Sequence, residues 1–311
     1  MPVLYFLEGL RTPVLDTLFS LVTHLGGEAV FLALTLTVLW CIDKKTGYLL
    51  LLIGYVGILA NQFLKLAFRV PRPWVRDPSF TIVESARAGA TGYSFPSGHT
   101  QNAIDVFGTL AHSVKRRAWR AVLIALVALV ALSRMYLGVH TPWDVGVSLA
   151  IGIVLQLALY PLFSRAYDSR HGMLFVLGGF VAAAGALTVY TTCAPFPADM
   201  DAENLADGIK NAYTFLGCTI AIVPVYLADR HRLHYRTDAP LPGQIAKLVL
   251  GLCLALLVKG VLKAPLLALT GGHPVAHAIR YAILVLFIGI VWPITFPLFR
   301  KLGAPRGNAD A

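Results

Sequence analysis

Three clusters of reactive side chains stand in order within a hydrophobic chain. They are Lys65 with Arg72-Pro73, then Pro96-Ser97-Gly98-His99, then Ser133-Arg134 with His140 and Asp144 behind. Together they supply three permanent cations, two imidazoles and one carboxylate. Guanidinium groups match phosphoryl oxygens in a two-pronged geometry and lysine adds a point charge, so Lys65, Arg72 and Arg134 suit the grip of a phosphate. Pro71 and Pro73 hold Arg72 in extended backbone. Ser97 and Gly98 sit at an expected helix start, where free N–H groups face an anion.

His140 precedes Asp144 by four residues, with Thr141-Pro142 between them as a helix start. Asp144 then falls in the first turn, within hydrogen-bond reach of the imidazole. There it would fix the tautomer and leave the other nitrogen to attack phosphorus. His99, beside the cradle, suits protonation of a leaving alkoxide. Each group also has a plainer reading. A single cation snorkels to headgroups, Asp144 complements a helix N-terminus, and His99 is a hydrogen-bonded core residue. The chemistry requires no metal and no cofactor. The other histidines, His24 among them, lack such company and read as interfacial.

The elements that position these groups are membrane helices. The chain is 57% hydrophobic and only 14% charged, against about a quarter charged in soluble domains, and its mean hydropathy is +0.69. The net charge of +10 sits in short clusters between apolar runs, a topology pattern rather than a nucleic-acid surface. Glu8 precedes Arg11 and no basic stretch opens the chain, which argues against a cleaved signal peptide. Cys41, Cys193, Cys218 and Cys253 have neither metal-ligand nor redox spacing.

The expected fold is all-α, a polytopic bundle of about nine spanning helices at 26–42, 47–69, 97–114, 118–136, 142–163, 172–193, 209–228, 243–269 and 275–299. Residues 1–25 read as an interfacial or re-entrant segment, 26–165 as the catalytic core and 166–311 as a four-helix extension. The run at 97–114 carries Gln101, Asn102 and Asp105, so it should face protein rather than lipid. Alternation of spans puts Lys65, Arg72, His99, Arg134 and His140 at one membrane face. Lys44, Lys45, Lys115, Arg116, Arg117, Arg120, Arg165, Arg170, Arg230, Arg232, Arg236, Arg300, Lys301 and Arg306 fall on the other, which places the site away from the cytoplasm, in a cell membrane.

Lys-x6-Arg-Pro, Pro-Ser-Gly-His and Ser-Arg-x5-His-x3-Asp resemble the signature of the type 2 phosphatidic acid phosphatase (PAP2) superfamily, with all eleven positions filled. The resemblance implies a haloperoxidase-like helical core. It implies His140 as nucleophile, Asp144 as its orienting partner, His99 as general acid and base, and Lys65, Arg72, Ser97, Gly98 and Arg134 as phosphate ligands. Gly26-Gly27-Glu28 with Trp40 and Asp43 is similar to the opening of the sphingosine-1-phosphate phosphatase and glucose-6-phosphatase branch.

The reading that results is a phosphatase acting on a membrane lipid phosphate of sphingoid-base or phosphatidate type. A polyprenyl diphosphate phosphatase is the alternative, and a lipid transporter or flippase the alternative of another class. Nucleic acid is excluded as a partner, and the sequence gives no sign of an oligomer. Lys259, Lys263 and Arg280, on the outer halves of the last two helices, suggest a second cationic patch that contacts headgroups. Lys259 and Lys263, four apart, should share a helix face; snorkelling is the competing reading.

Overall fold

A backbone in lipid must pair its N–H and C=O groups internally, and this chain does so by helix. The computed structural model describes residues 1–302, and among the described residues there is no strand. The helices are α1 (Pro2–Glu8), α2 (Pro13–Thr23), α3 (Glu28–Thr37), α4 (Lys44–Phe68), α5 (Pro73–Arg76), α6 (Gly98–Ala103), α7 (Thr109–Ser113), α8 (Arg117–Tyr136), α9 (Pro142–Val154) and α10 (Tyr160–Asp168). Then follow α11 (Gly172–Cys193), α12 (Ala202–Ala228), α13 (Leu241–Val261), α14 (Lys263–Leu269), α15 (Val275–Leu286), α16 (Trp292–Ile294) and α17 (Phe296–Lys301).

Among the described residues, seven helices are long and apolar enough to cross a membrane, or eight if a pair bent by 51°, Pro13–Gly26 with Glu28–Ile42, forms one span. The all-helical expectation holds, but the nine expected spans are not reached. The segment expected at 97–114 is the reason. It runs as continuous helix only from Gly98 to Ser113, through a π-helical turn at Ile104–Gly108, and its polar residues lower its hydropathy. Its expected burial holds: Gln101 and Asp105 are both 0% exposed. Arg306, counted above among the opposite-side cations, lies outside the described residues.

The chain divides into two compact units. The first, residues 1–35, 48–165 and 198–207, contains all three clusters. Within it α6 packs on α8, α9 and the short turn His24–Gly26. That contact needs glycine at 26: a Cβ there would stand 2.4 Å from the His99 carbonyl oxygen and 2.7 Å from Val130. Asn102 Nδ2 also donates to the Gly26 carbonyl at 3.2 Å. The Gly-Gly-Glu segment is therefore the seat of the helix that carries His99.

The second unit comprises 36–47, 166–197 and the chain from 208 on. Its buried centre holds Trp40, Trp292 and Phe296. Gly251 lets Trp40 and Trp292 lie against the α13 backbone, where a Cβ would meet Trp292 Nε1 at 2.4 Å. Lys44 pairs with Asp229 at 2.9 Å, and Lys45 with Asp168 at 2.6 Å.

Candidate active site

Arg72 occupies the turn between α4 and α5, with Pro73 opening α5. Its guanidinium is spent almost wholly on fixed acceptors. Nε donates to the Gly92 carbonyl (3.0 Å), Nη2 to Thr91 (2.6 Å), and Nη1 to Val139 (2.9 Å). Nη1 also lies 3.0 Å from His140 Nε2. Guanidinium donates and cannot accept, so Nε2 carries a lone pair and the ring proton sits on Nδ1. Lys65, near the end of α4, donates to the Tyr93 carbonyl. The loop 91–93 is thus an anchor for two cations at once.

Arg134 is different. It is 1% exposed, and only its Nη1 has a partner, Thr23 Oγ1 at 2.7 Å. Its Nε and Nη2 are buried with no acceptor. Two free, desolvated guanidinium donors are what an incoming phosphate oxygen would satisfy.

The turn between α8 and α9 is set by local sequence. Gly138 adopts φ +80, as a left-handed helix cap requires. Val139 N–H bonds the Arg134 carbonyl (3.1 Å) and Gly138 N–H the Met135 carbonyl (3.0 Å), which closes the end of α8. Thr141 caps α9 with Pro142 behind it. Its Oγ1 accepts from Asp144 N–H at 3.3 Å, and Asp144 Oδ2 accepts from Thr141 N–H at 2.7 Å. His140 is held in the two-residue gap between these caps.

His140 Nδ1 stands 3.6 Å from Asp144 Oδ2. At that distance the expected hydrogen bond is not made, because the same oxygen is already taken by Thr141 N–H and by Ser94 Oγ at 2.6 Å. Asp144 is thus the helix-start carboxylate, with the imidazole beside it but not hydrogen-bonded to it. Burial first, then the charges of Arg72, Arg134 and Lys65, push the His140 imidazole well below its ordinary value, so it is neutral.

Ser97 caps α6, its Oγ accepting from Thr100 Oγ1 at 3.0 Å. The backbone joins the second cluster to the third: Ser97 N–H donates to the Asp144 carbonyl at 3.1 Å, and Ser148 Oγ to the Ser97 carbonyl at 2.9 Å. Gly98 opens the helix facing Asn61 of α4. His99 lies within electrostatic reach of Arg134, Arg72 and Lys65, and of His140. Lys65, Arg72, Ser97, Gly98, His99, Arg134, His140 and Asp144 therefore share one neighbourhood. Lys259, Lys263 and Arg280 lie in the second unit. The two lysines flank Leu262, where α13 passes into α14 with right-handed helical backbone.

Several supporting groups carry no readable signal. Ser94 and Thr23 hold Asp144 and Arg134, yet a lone Ser in a loop or Thr at a helix end is unremarkable as sequence. His24, read above as interfacial, is close enough to His99 for their charges to interact. Asp105 receives Gln101 Nε2 at 3.0 and 3.2 Å and packs against the bare backbone of Gly57, locking α6 to α4.

The chain matches the PAP2 superfamily profile over residues 45–168. It matches that of the PAP2 superfamily phosphatase transmembrane extension over 213–305. It is 31% identical over 159 residues to phosphatidylglycerophosphatase B of Bacillus subtilis (strain 168), covering 47% of this chain and 74% of that protein. Undecaprenyl-diphosphatase BcrC of the same organism is 28% identical over 46% of this chain and 72% of its own length. Sphingosine-1-phosphate phosphatase 1 of Mus musculus is 25% identical over 289 residues, 85% of this chain but 64% of that protein. No solved structure gives a significant match. With the signature clusters gathered in one buried neighbourhood of a multi-pass helical chain, these matches establish that it belongs to the PAP2 superfamily, as a membrane lipid phosphatase of that type.

Proposed function

We propose that the chain hydrolyses lipid phosphate monoesters through a phosphohistidine intermediate, at a site facing away from the cytoplasm. The observation that carries the reading is the Arg72 Nη1 to His140 Nε2 contact of 3.0 Å. It aims the imidazole lone pair at the group that would bind the phosphate. In the first step Nε2 attacks phosphorus, the P–O ester bond breaks, and protonated His99 gives its proton to the leaving alkoxide. Asp144 stabilises the positive charge that develops on His140. In the second step His99 takes a proton from water, whose oxygen attacks phosphorus; the P–N bond breaks and inorganic phosphate leaves. Lys65, Arg72, Arg134 and the N–H groups at Ser97-Gly98 hold the equatorial oxygens.

An amphipathic substrate fits the rim. Phe68, 60% exposed, meets Phe95 edge-on at 5.2 Å, and Trp143 beside Asp144 is 81% exposed. Sphingoid-base phosphate is favoured within this class, because the mouse sphingosine-1-phosphate phosphatase aligns with 85% of this chain whereas the two bacterial relatives align with less than half. A polyprenyl diphosphate is the second reading, supported by the undecaprenyl-diphosphatase match across the signature region. The orientation rests on the basic loops named above.

Phosphate release by the purified protein in detergent, across sphingoid-base phosphate, phosphatidate and polyprenyl diphosphate, tests the reading. Fastest turnover of the sphingoid-base phosphate, abolished by His140→Ala, is expected. Preference for the diphosphate would replace the monoester reading. Lipid movement in proteoliposomes that persists in His140→Ala, with no phosphate released by wild type, would mark a transporter instead.

A further inference from the structure

The second unit contains a group of basic side chains that the hydrolytic reaction does not use. Arg280 lies on α15, 8% exposed. Its Nη2 is 3.3 Å from His277 Nδ1, and its Nε is buried with no partner. The Arg280 guanidinium and the Lys259 ammonium both lie over the ring of Tyr281, at 5.0 and 5.6 Å. Lys263 and Lys210 are close enough to His277 for their charges to act on it. These residues come from α12, the α13–α14 pair and α15, and α15 packs on both α13 and α14.

A buried guanidinium with a free donor is costly unless an acceptor satisfies it. None of Lys259, Lys263 and Arg280 has a carboxylate partner among the described residues. Snorkelling does not account for Arg280, because a snorkelled head reaches water and this one is covered. The neighbouring surface is apolar: Val261 is 61% and Leu269 82% exposed, as a lipid-facing wall would be. A planar fork that shares the Tyr281 ring with one ammonium group and His277 with another is chemistry for a phosphate oxygen, and the bilayer supplies phosphates at headgroup level.

We propose that Arg280, with His277, Lys259 and Lys263, forms a second anion site that takes the phosphate of a lipid headgroup, using none of the residues of the hydrolytic site. Arg280 Nε and Nη2 clasp the phosphate, and the two lysines close it from the α13–α14 junction. The site stands independently of which lipid is hydrolysed.

Native mass spectrometry of the full chain in neutral detergent tests this, in a His140→Ala background so that no lipid is consumed. Phosphatidylglycerol, phosphatidylcholine and inorganic phosphate are the probes. Arg280→Ala, and separately Lys259→Ala with Lys263→Ala, should lower phosphatidylglycerol retention about tenfold and lower phosphatidylcholine retention less, because its choline cation opposes the cluster. Displacement of the retained lipid by inorganic phosphate would show that free phosphate shares the site; failure to displace it would assign the site to the headgroup. Arg280→Lys should keep part of the retention. If Arg280→Ala does not fold, the lysine pair and Arg280→Lys still decide. Unchanged phosphatidylglycerol retention in the lysine pair and in whichever Arg280 variant folds overturns the proposal. In the otherwise wild-type chain, the lysine pair should hydrolyse p-nitrophenyl phosphate at the parent rate, so a failure of the second site cannot be mistaken for a failure of the first.

Discussion

The two units each gather cations, but they hold them by different means. In the first, Arg72 and Lys65 are pinned by backbone carbonyls of Thr91, Gly92, Tyr93 and Val139, whereas Arg134 keeps two buried donors without a partner among the described residues. In the second, Arg280 rests on an imidazole and an aromatic ring with no carbonyl fixing it. Carbonyl anchoring fixes each donor's direction, as a reaction at one phosphorus atom demands. Anchoring by a ring leaves the fork freer to turn, which suffices for holding an anion. The first arrangement suits catalysis and the second suits binding.

Substitutions at the rigid cluster should therefore cost far more turnover than substitutions at the loose one. His140→Ala should lower kcat by about 10^4-fold or more, since it removes the nucleophile; single-turnover phosphate release measures it. Arg134→Ala should lower kcat by about 10^2- to 10^3-fold. Arg134→Lys should recover little of this, because a point charge cannot replace both free guanidinium donors. Gly57→Ala probes the support beneath the site, where a new Cβ would fall 1.8 Å from Asp105 Oδ2. A loss of about 1–3 kcal/mol of stability is expected there, read as a lower melting temperature in detergent, with Asp105→Asn close to wild type because it still meets Gln101.

The pH dependence sharpens the same contrast. A lowered His140 value means that the imidazole stays neutral, and able to attack, as pH falls past its ordinary 6.5. The acid limb of kcat/KM that belongs to His140 should therefore lie below that pH; a limb centred at or above it would contradict the buried, cation-ringed geometry. The smallest effect is expected at the second unit, where Lys259→Ala with Lys263→Ala should leave hydrolysis of a soluble phosphate ester unchanged.

Much of the site could be read from the residues, because local chemistry writes it into short spacings. Gly138 and Thr141-Pro142 are cap signals, and they fix His140 where the sequence expects it. The helical class and the burial of Gln101 and Asp105 follow from the rule that lipid tolerates no bare polar group. The partners of Asp144 and Arg134 could not be read. Ser94 and Thr23 become ligands only when segments distant in sequence meet, and nothing local marks them. The competition that stretches the His140–Asp144 contact to 3.6 Å was hidden for the same reason. The span count differs where one short helix trades hydropathy for polar residues. The second cation cluster had no motif at all, only rare charges in apolar helices.

Rapid quenching of the enzyme during turnover of a lipid carrying labelled phosphate, followed by peptide mapping, tests most directly whether His140 is the nucleophile of this pocket. A single acid-labile, alkali-stable label on the peptide containing His140, absent from His140→Ala and accumulating in His99→Ala, is the expected result. Label on another residue, or turnover that survives His140→Ala undiminished, would contradict it.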